Sequence, residues 1–264
     1  MIKPKKSLGQ NFLNDNNILN KIIYLSKITN NNIIEIGPGT GNLTKKIIEQ
    51  KPKSLILIEK DSDLIEHLKN EFANYKSLKI FNEDILKFEL EKKIKKDTII
   101  IGNLPYNISS QILAKLIKFE KWLPNYKKLI LMFQKEVAEK ILAKHGNSSF
   151  GRLSLLTSAR LRIVDHFDVS PNCFYPKPKV KSTVLVFEPI LNCDFRVKKI
   201  SNLEKVTQVF FSKKRKMINK AFNELFNNSK NIAKKININL NLRPNQLTEK
   251  EYYKITEFFE KNKL

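Results

Sequence analysis

The chain has 264 residues, 41% of them hydrophobic, and carries 49 Lys and Arg against 26 Asp and Glu, a formal net charge of +23. That length and apolar content can bury a good core, in one large domain or in one domain plus a small one. The charge excess, with a pI near 9.8, predicts a polyanionic partner, nucleic acid before membrane. No apolar run approaches the ~20 residues of a membrane span, and the opening MIKPKK is not followed by a signal-peptide core. Cys173 and Cys193, the two cysteines, have no metal-site spacing. A cytoplasmic protein with reduced thiols and no metal is therefore expected.

Residues 1–15, MIKPKKSLGQNFLND, are basic and polar around the apolar pair Phe12 and Leu13, the composition of a terminal arm. Apolar residues at 18, 19, 22, 23, 25 and 28 make a helical stripe. Residues 33–41, IIEIGPGTG, run from a buried strand straight into Gly37, Gly39 and Gly41, with a helix over 42–50 that stops before Pro52. Glycines let the backbone turn sharply and approach a ligand closely, but this G-x-G-x-G is not the dinucleotide spacing. The next buried strand, 54–58, ends in Glu59, 22 residues after Gly37. A strand–helix–strand unit of that length puts the carboxylate beside the glycine loop, where it can accept hydrogen bonds from ribose hydroxyls. A helix over 63–75 and a short strand over 78–81 lead to Asp84.

The run Thr98–Gly102 reads as a buried strand delivering Asn103-Leu104-Pro105-Tyr106. That tetrapeptide suits a flat base. An Asn amide oxygen accepts from an exocyclic amine, Pro105 stiffens the turn, and Tyr106 offers a ring face. A helix over 108–119, a strand over 128–133 and a helix over 134–143 follow. The alternation argues for a mostly parallel, doubly wound α/β sheet with its ligand at the strand carboxyl ends. Beyond the polar loop 144–152, residues 160–169 read as a strand and 183–187 as a final one, antiparallel and at the sheet edge. Between them lies Phe174-Tyr175-Pro176-Lys177-Pro178-Lys179-Val180-Lys181-Ser182, stiffened by two prolines.

The glycine loop together with N-L-P-Y some sixty residues later resembles the S-adenosylmethionine-dependent N6-adenine methyltransferases. SLGQNFL at 7–13, FGRLS at 150–154 and the F-x-P-x-P-x-V-x-S match at 174–182 narrow the resemblance to the rRNA adenine dimethyltransferase family. The resemblance implies a seven-stranded Rossmann-like class I methyltransferase sheet. It implies that the arm folds over S-adenosylmethionine, with Asn11 and Leu13 in contact alongside Gly37, Gly39, Glu59 and Asn103, and Asp84 on the cofactor's adenine amino group. Phe174 would pack on the target base opposite Tyr106. Asn103 and the Leu104 carbonyl would accept from the target amine. The substrate implied is N6 of two adjacent adenosines near the 3′ end of small-subunit (16S) rRNA, within a pre-30S particle late in assembly, acted on by a monomer with no obligate protein partner. Two alternatives stand beside it: the large-subunit rRNA adenine methyltransferase linked to macrolide resistance, and an assembly or nucleic-acid-binding factor on the same fold without catalysis.

From about residue 189 strand signals cease, and helices are expected over 203–211, 217–226 and 249–259. A domain boundary near 188 divides a catalytic domain, 1–188, from a smaller all-helical RNA-binding domain, 189–264. The latter carries 17 Lys and Arg against 7 Asp and Glu. Lys213-Lys214-Arg215-Lys216, expected in a helical stretch behind Phe210 and Phe211, suits an RNA backbone.

Overall fold

The structure is a computed structural model, and it describes residues 3–191 and 197–262. Cys193 lies outside the described residues. The elements in chain order are β1 (Phe12–Leu13), α1 (Asn16–Ser26), β2 (Asn32–Ile36), α2 (Asn42–Glu49), β3 (Ser54–Glu59), α3 (Ser62–Glu71), β4 (Leu78–Asn82), α4 (Leu90–Lys93), β5 (Thr98–Asn103), α5 (Ser109–Ile117), β6 (Tyr126–Gln134), α6 (Lys135–Leu142), α7 (Arg152–Arg160), β7 (Leu161–Val169), β8 (Phe174–Tyr175), β9 (Ser182–Pro189), α8 (Ile200–Phe211), α9 (Asn219–Leu225), α10 (Ser229–Lys235) and α11 (Glu249–Lys261).

The chain divides into two compact units, one of residues 1–138 and 162–189, the other of 139–161 and 190–264. The break at 189/190 falls beside the expected boundary. Residues 139–161, read from sequence as part of the first domain, cluster instead with the second. The reason is α7, which falls between the expected loop at 144–152 and the expected strand at 160–169, where sequence predicts no element: it packs against α8 and α11.

The first unit holds a seven-stranded sheet in the order β4-β3-β2-β5-β6-β9-β7. Strands β4 through β6 are parallel, and β9 runs antiparallel to β6. Strand β9 is not at the edge, as its late position in the chain suggested; β7 takes the edge beyond it. Ile33, Ile34 and Ile36 of β2, Leu55 and Leu57 of β3 and Ile99, Ile100 and Ile101 of β5 are all buried, as expected of parallel strands covered on both faces. Truncating one such leucine to alanine costs about 2–5 kcal/mol.

Order and register together place the site. From β2 the chain steps outward through β3 to β4, then returns to the other side of β2 as β5, so β2 and β5 flank a topological switch point. Ile36 is opposite both Ile58 and Gly102, so the three strands release Gly37, Glu59 and Asn103 at one level. The close pairing depends on Gly102: a Cβ there would lie 2.9 Å from the Ile36 carbonyl oxygen and 2.8 Å from Leu104 Cδ2. A separate two-stranded ribbon pairs β1 with β8, Phe12 opposite Tyr175 and Leu13 opposite Phe174.

In the second unit, helices bury an aromatic cluster. Phe210 meets Phe222 and Tyr252 edge-on, and Phe211 stacks on Tyr252 at 5.8 Å. The buried Tyr252 hydroxyl donates to the Pro244 carbonyl at 2.8 Å, which removes the cost of an unpaired polar group. Thr248 and Glu251 cap α11 reciprocally.

Candidate active site

One cavity opens at the carboxyl ends of β2, β3 and β5. It is lined by the arm from Ser7 to Leu13, the loop Gly37–Thr40, Glu59 and Lys60, Glu83 to Ile85, and Asn103 to Ile108. All seven expected cofactor residues, Asn11, Leu13, Gly37, Gly39, Glu59, Asp84 and Asn103, therefore share one space. Gly39, at φ +59°, is the tightest point: a Cβ would meet the Phe12 ring at 2.9 Å, so only glycine lets arm and loop approach here.

Glu59 is 8% exposed. Its Oε1 accepts from the backbone N–H groups of Lys60 at 2.8 Å and Asp61 at 2.9 Å, and Oε2 from Gly39 N–H at 3.4 Å. Burial pushes its pKa up, and the three N–H donors oppose that shift. The carboxylate is thus held against the glycine loop, as the spacing of 22 residues predicts. Asp84 Oδ1 accepts from Leu86 N–H, and Oδ2 from Lys60 Nζ, both at 2.9 Å. The Leu86 N–H and the Lys60 ammonium hold its carboxyl below the usual value.

Asn103 ends β5. Its Nδ2 donates to the Asn11 backbone carbonyl at 2.9 Å. That bond fixes the amide plane by its donor end and leaves Oδ1 as the available acceptor. Leu104 is buried, and the Tyr106 hydroxyl shares a 2.6 Å hydrogen bond with Ser182 Oγ. Burial raises the Tyr106 pKa, so its hydroxyl stays protonated. Ser182 closes the F-x-P-x-P-x-V-x-S segment, so this bond joins two motifs that lie far apart in the chain.

Phe174 departs from expectation. It does not line the cavity; at 5% exposure it sits in the core with Leu13, Ile22, Val169 and Val184. Strand alternation is the cause: opposite Leu13 in the ribbon, Phe174 points inward, and Tyr175, 59% exposed, takes the outer face. The basic tetrapeptide departs as well. Residues 212–216 form a turn between α8 and α9 rather than a helix. Lys214 Nζ donates to the Ser148 carbonyl at 2.5 Å, whereas Lys213, Arg215 and Lys216 are exposed.

Two features escaped sequence reading. Glu35, hidden within the apolar run of β2, lines the cavity at 2% exposure, and burial raises its pKa to about 8 even though Thr44 Oγ1 donates to it at 2.6 Å. The arm, expected from the family resemblance to fold over the cofactor, is pinned there by contacts that the sequence does not suggest. Lys5 Nζ lies 2.5 Å from Asp61 and 2.8 Å from Asp63, and Gln10 Nε2 donates to Asp61 at 2.7 Å. Burial pushes the Asp61 carboxyl up, but the Lys5 and Gln10 hydrogen bonds outweigh it and hold the group low. The signal available was Asp61 as the cap of α3; nothing in the sequence tied it to Lys5.

The profile of the ribosomal RNA adenine dimethylase family matches residues 1–261. Ribosomal RNA small subunit methyltransferase A of Pelagibacter ubique (strain HTCC1062) is 45% identical over 98% of both chains. The protein of the same name from Wolbachia sp. subsp. Drosophila simulans (strain wRi) is 39% identical over 96% of this chain and 92% of its own. A solved dimethyladenosine transferase from Plasmodium falciparum superposes with a TM-score of 0.80 at 28% identity, covering 96% of this chain and 98% of that one. By its sequence over nearly its whole length, this chain belongs to the ribosomal RNA adenine dimethylase family.

Proposed function

We propose that this protein dimethylates N6 of adenosines in small-subunit rRNA with S-adenosylmethionine as methyl donor. The targets in this reading are two adjacent adenosines near the 3′ end, modified within a pre-30S particle in the cytoplasm by a monomer. The observation that carries it is the orientation of Asn103: its donor end is held by Asn11, in the cavity that also holds Gly39, Glu59 and Asp84. The names of the relatives favour the small-subunit substrate over the large-subunit one.

The residues fit the cofactor. Gly37 and Gly39 leave room for close backbone approach, and Glu59 and Asp84 present carboxylate acceptors to the cavity that would take the ribose hydroxyls and the adenine amine, with Asn11 and Leu13 beside them. When bound, S-adenosylmethionine supplies a methyl group on a sulfonium. The chain's own work is positioning. Adenine N6 is a weak nucleophile because its lone pair is delocalised into the ring. Asn103 Oδ1 and the Leu104 carbonyl accept its N–H bonds and favour a more pyramidal, electron-rich nitrogen. Such preorganised dipoles act without a strong base. Tyr106 supports the flipped base, its hydroxyl anchored on Ser182. Phe174 would take the opposite base face only once uncovered. Lys213, Arg215 and Lys216 supply phosphate contacts, with Lys214 the least free of the four.

The test is methylation of small ribosomal subunits that lack the modification, with mono- and dimethyladenosine resolved by mass spectrometry. Dimethyladenosine near the 3′ end is the expected product; label found only in large-subunit rRNA would favour the alternative.

A further inference from the structure

We propose that Tyr175, Lys177, Lys179 and Lys181 form a docking strip for the RNA strand flanking the target adenosine. The proposal rests on the rRNA reading above and adds a surface to it. The strip belongs to the first unit and is bracketed at both ends by cavity residues: Tyr175 is paired with Phe12, and Ser182 is bonded to Tyr106. Between these ends Pro178 and Ser182 are buried, while Lys177, Lys179, Val180 and Lys181 are exposed. The segment is therefore anchored from inside and presents its charges outward.

Two properties point to single-stranded RNA. Tyr175 is a large aromatic left 59% exposed, although folding ordinarily buries such a ring. Its neighbour Phe174 took the core position, so the exposed face is available for stacking on a base. None of the three lysines has a carboxylate within salt-bridge distance among the described residues; Lys181 alone feels Asp168, whose carboxylate is already paired with Lys135, so the ammonium groups are available to a phosphate. An exposed ring beside unpaired cations is the combination that single-strand binders use. A nucleotide next to a flipped adenosine loses its stacking partner, and Tyr175 offers a replacement.

The experiment compares binding of unmodified small ribosomal subunits over a range of salt. It uses the wild type, the triple variant Lys177→Gln/Lys179→Gln/Lys181→Gln, and a control triple, Lys69→Gln/Lys76→Gln/Lys79→Gln, whose lysines are exposed around α3 and β4 at the other end of the sheet. The strip variant is expected to flatten the slope of log affinity against log salt by about 2, at ~0.7 per single-strand phosphate contact, and the control by much less. Tyr175→Ala is expected to weaken binding about 5- to 150-fold, with Tyr175→Phe near wild type, since stacking needs only the ring. Equal losses in the two triples, or a Tyr175→Ala protein that binds as wild type, would overturn the strip. A parallel methylation assay keeps this apart from the function itself: a wild type that leaves small-subunit rRNA unmodified overturns the rRNA reading and the strip with it.

Discussion

In the cavity, polar groups are committed to neighbours: Asn103 to Asn11, Glu59 to three backbone N–H groups, Asp84 to Lys60 and Leu86. In the basic turn after α8, Lys213, Arg215 and Lys216 stand in solvent, and only Lys214 is tied down. The contrast follows from what each region must do. Accepting from a particular N–H requires an atom fixed to fractions of an ångström. Attracting a phosphate backbone requires charge nearby and tolerates motion. One region should therefore fail when geometry changes, and the other only when charge changes.

The sharpest break is Asn103→Ala. It deletes an acceptor that acts mainly as charge develops on nitrogen, so single-turnover methylation should slow roughly a hundredfold to a thousandfold. Affinity for the ribosomal subunit should hardly change. Near-wild-type rates in the folded variant would move the chemistry elsewhere. Next is Glu59→Ala, which removes one or two charge-assisted hydrogen bonds of ~1.5–3 kcal/mol each. Calorimetric titration with S-adenosylmethionine should show about a tenfold or greater loss; unchanged affinity would release Glu59 from the ribose.

In the turn, Lys213→Gln/Arg215→Gln/Lys216→Gln should lower rRNA affinity with a flatter salt dependence, up to ~0.7–0.9 in slope per contact. Replacing the two lysines by arginine should change little, which is the signature of charge without fixed geometry. Adding Lys214→Gln should contribute less than any of the other three. If Lys→Arg changes are as damaging as Lys→Gln, the turn is a fitted site and the contrast fails.

The mildest test concerns Glu35. Its folded pKa of about 8 stands above the ordinary carboxyl value of 4.5, so the folded state binds the extra proton between those limits. The stability this contributes is fully present below pH ~4.5 and is lost as pH rises towards ~8. Glu35→Gln keeps the shape and the Thr44 contact but cannot ionise. Thermal midpoints measured from pH 5 to 8 should fall in the wild type and fall less in the variant; parallel curves would mean that Glu35 is ionised in the fold.

How far sequence could reach depends on whether a residue's role is local. Strands β2, β3, β5 and β6 were legible because continuous apolar runs ended at glycine or polar signals, and Glu59 because its spacing is set by one strand–helix–strand unit. Helix α7 was not legible: Ser154, Leu155, Leu156, Thr157 and Ala159 are all buried, so it has no polar face to give a helical period. Glu35 was masked by the isoleucines around it. The burial of Phe174, the Lys5–Asp61 pairing and the turn at Lys213 depend on partners distant in the chain or on tertiary packing, which periodicity does not encode.

The ribbon of β1 and β8 has a consequence for how the protein is made. Its strands pair Phe12 with Tyr175 and Leu13 with Phe174, some 160 residues apart. On a translating ribosome adding ~5–20 residues per second, the partner strand is synthesised roughly eight to thirty seconds after Phe12 and Leu13. A nascent chain can assemble the glycine loop, Glu59 and Asn103 while Phe12 and Leu13 still lack their partner. The arm is thus secured in two stages: Lys5, Gln10 and Asn11 can be held as soon as Asp61 and Asn103 are in place, whereas Phe12 and Leu13 gain their strand partner only with Phe174 and Tyr175.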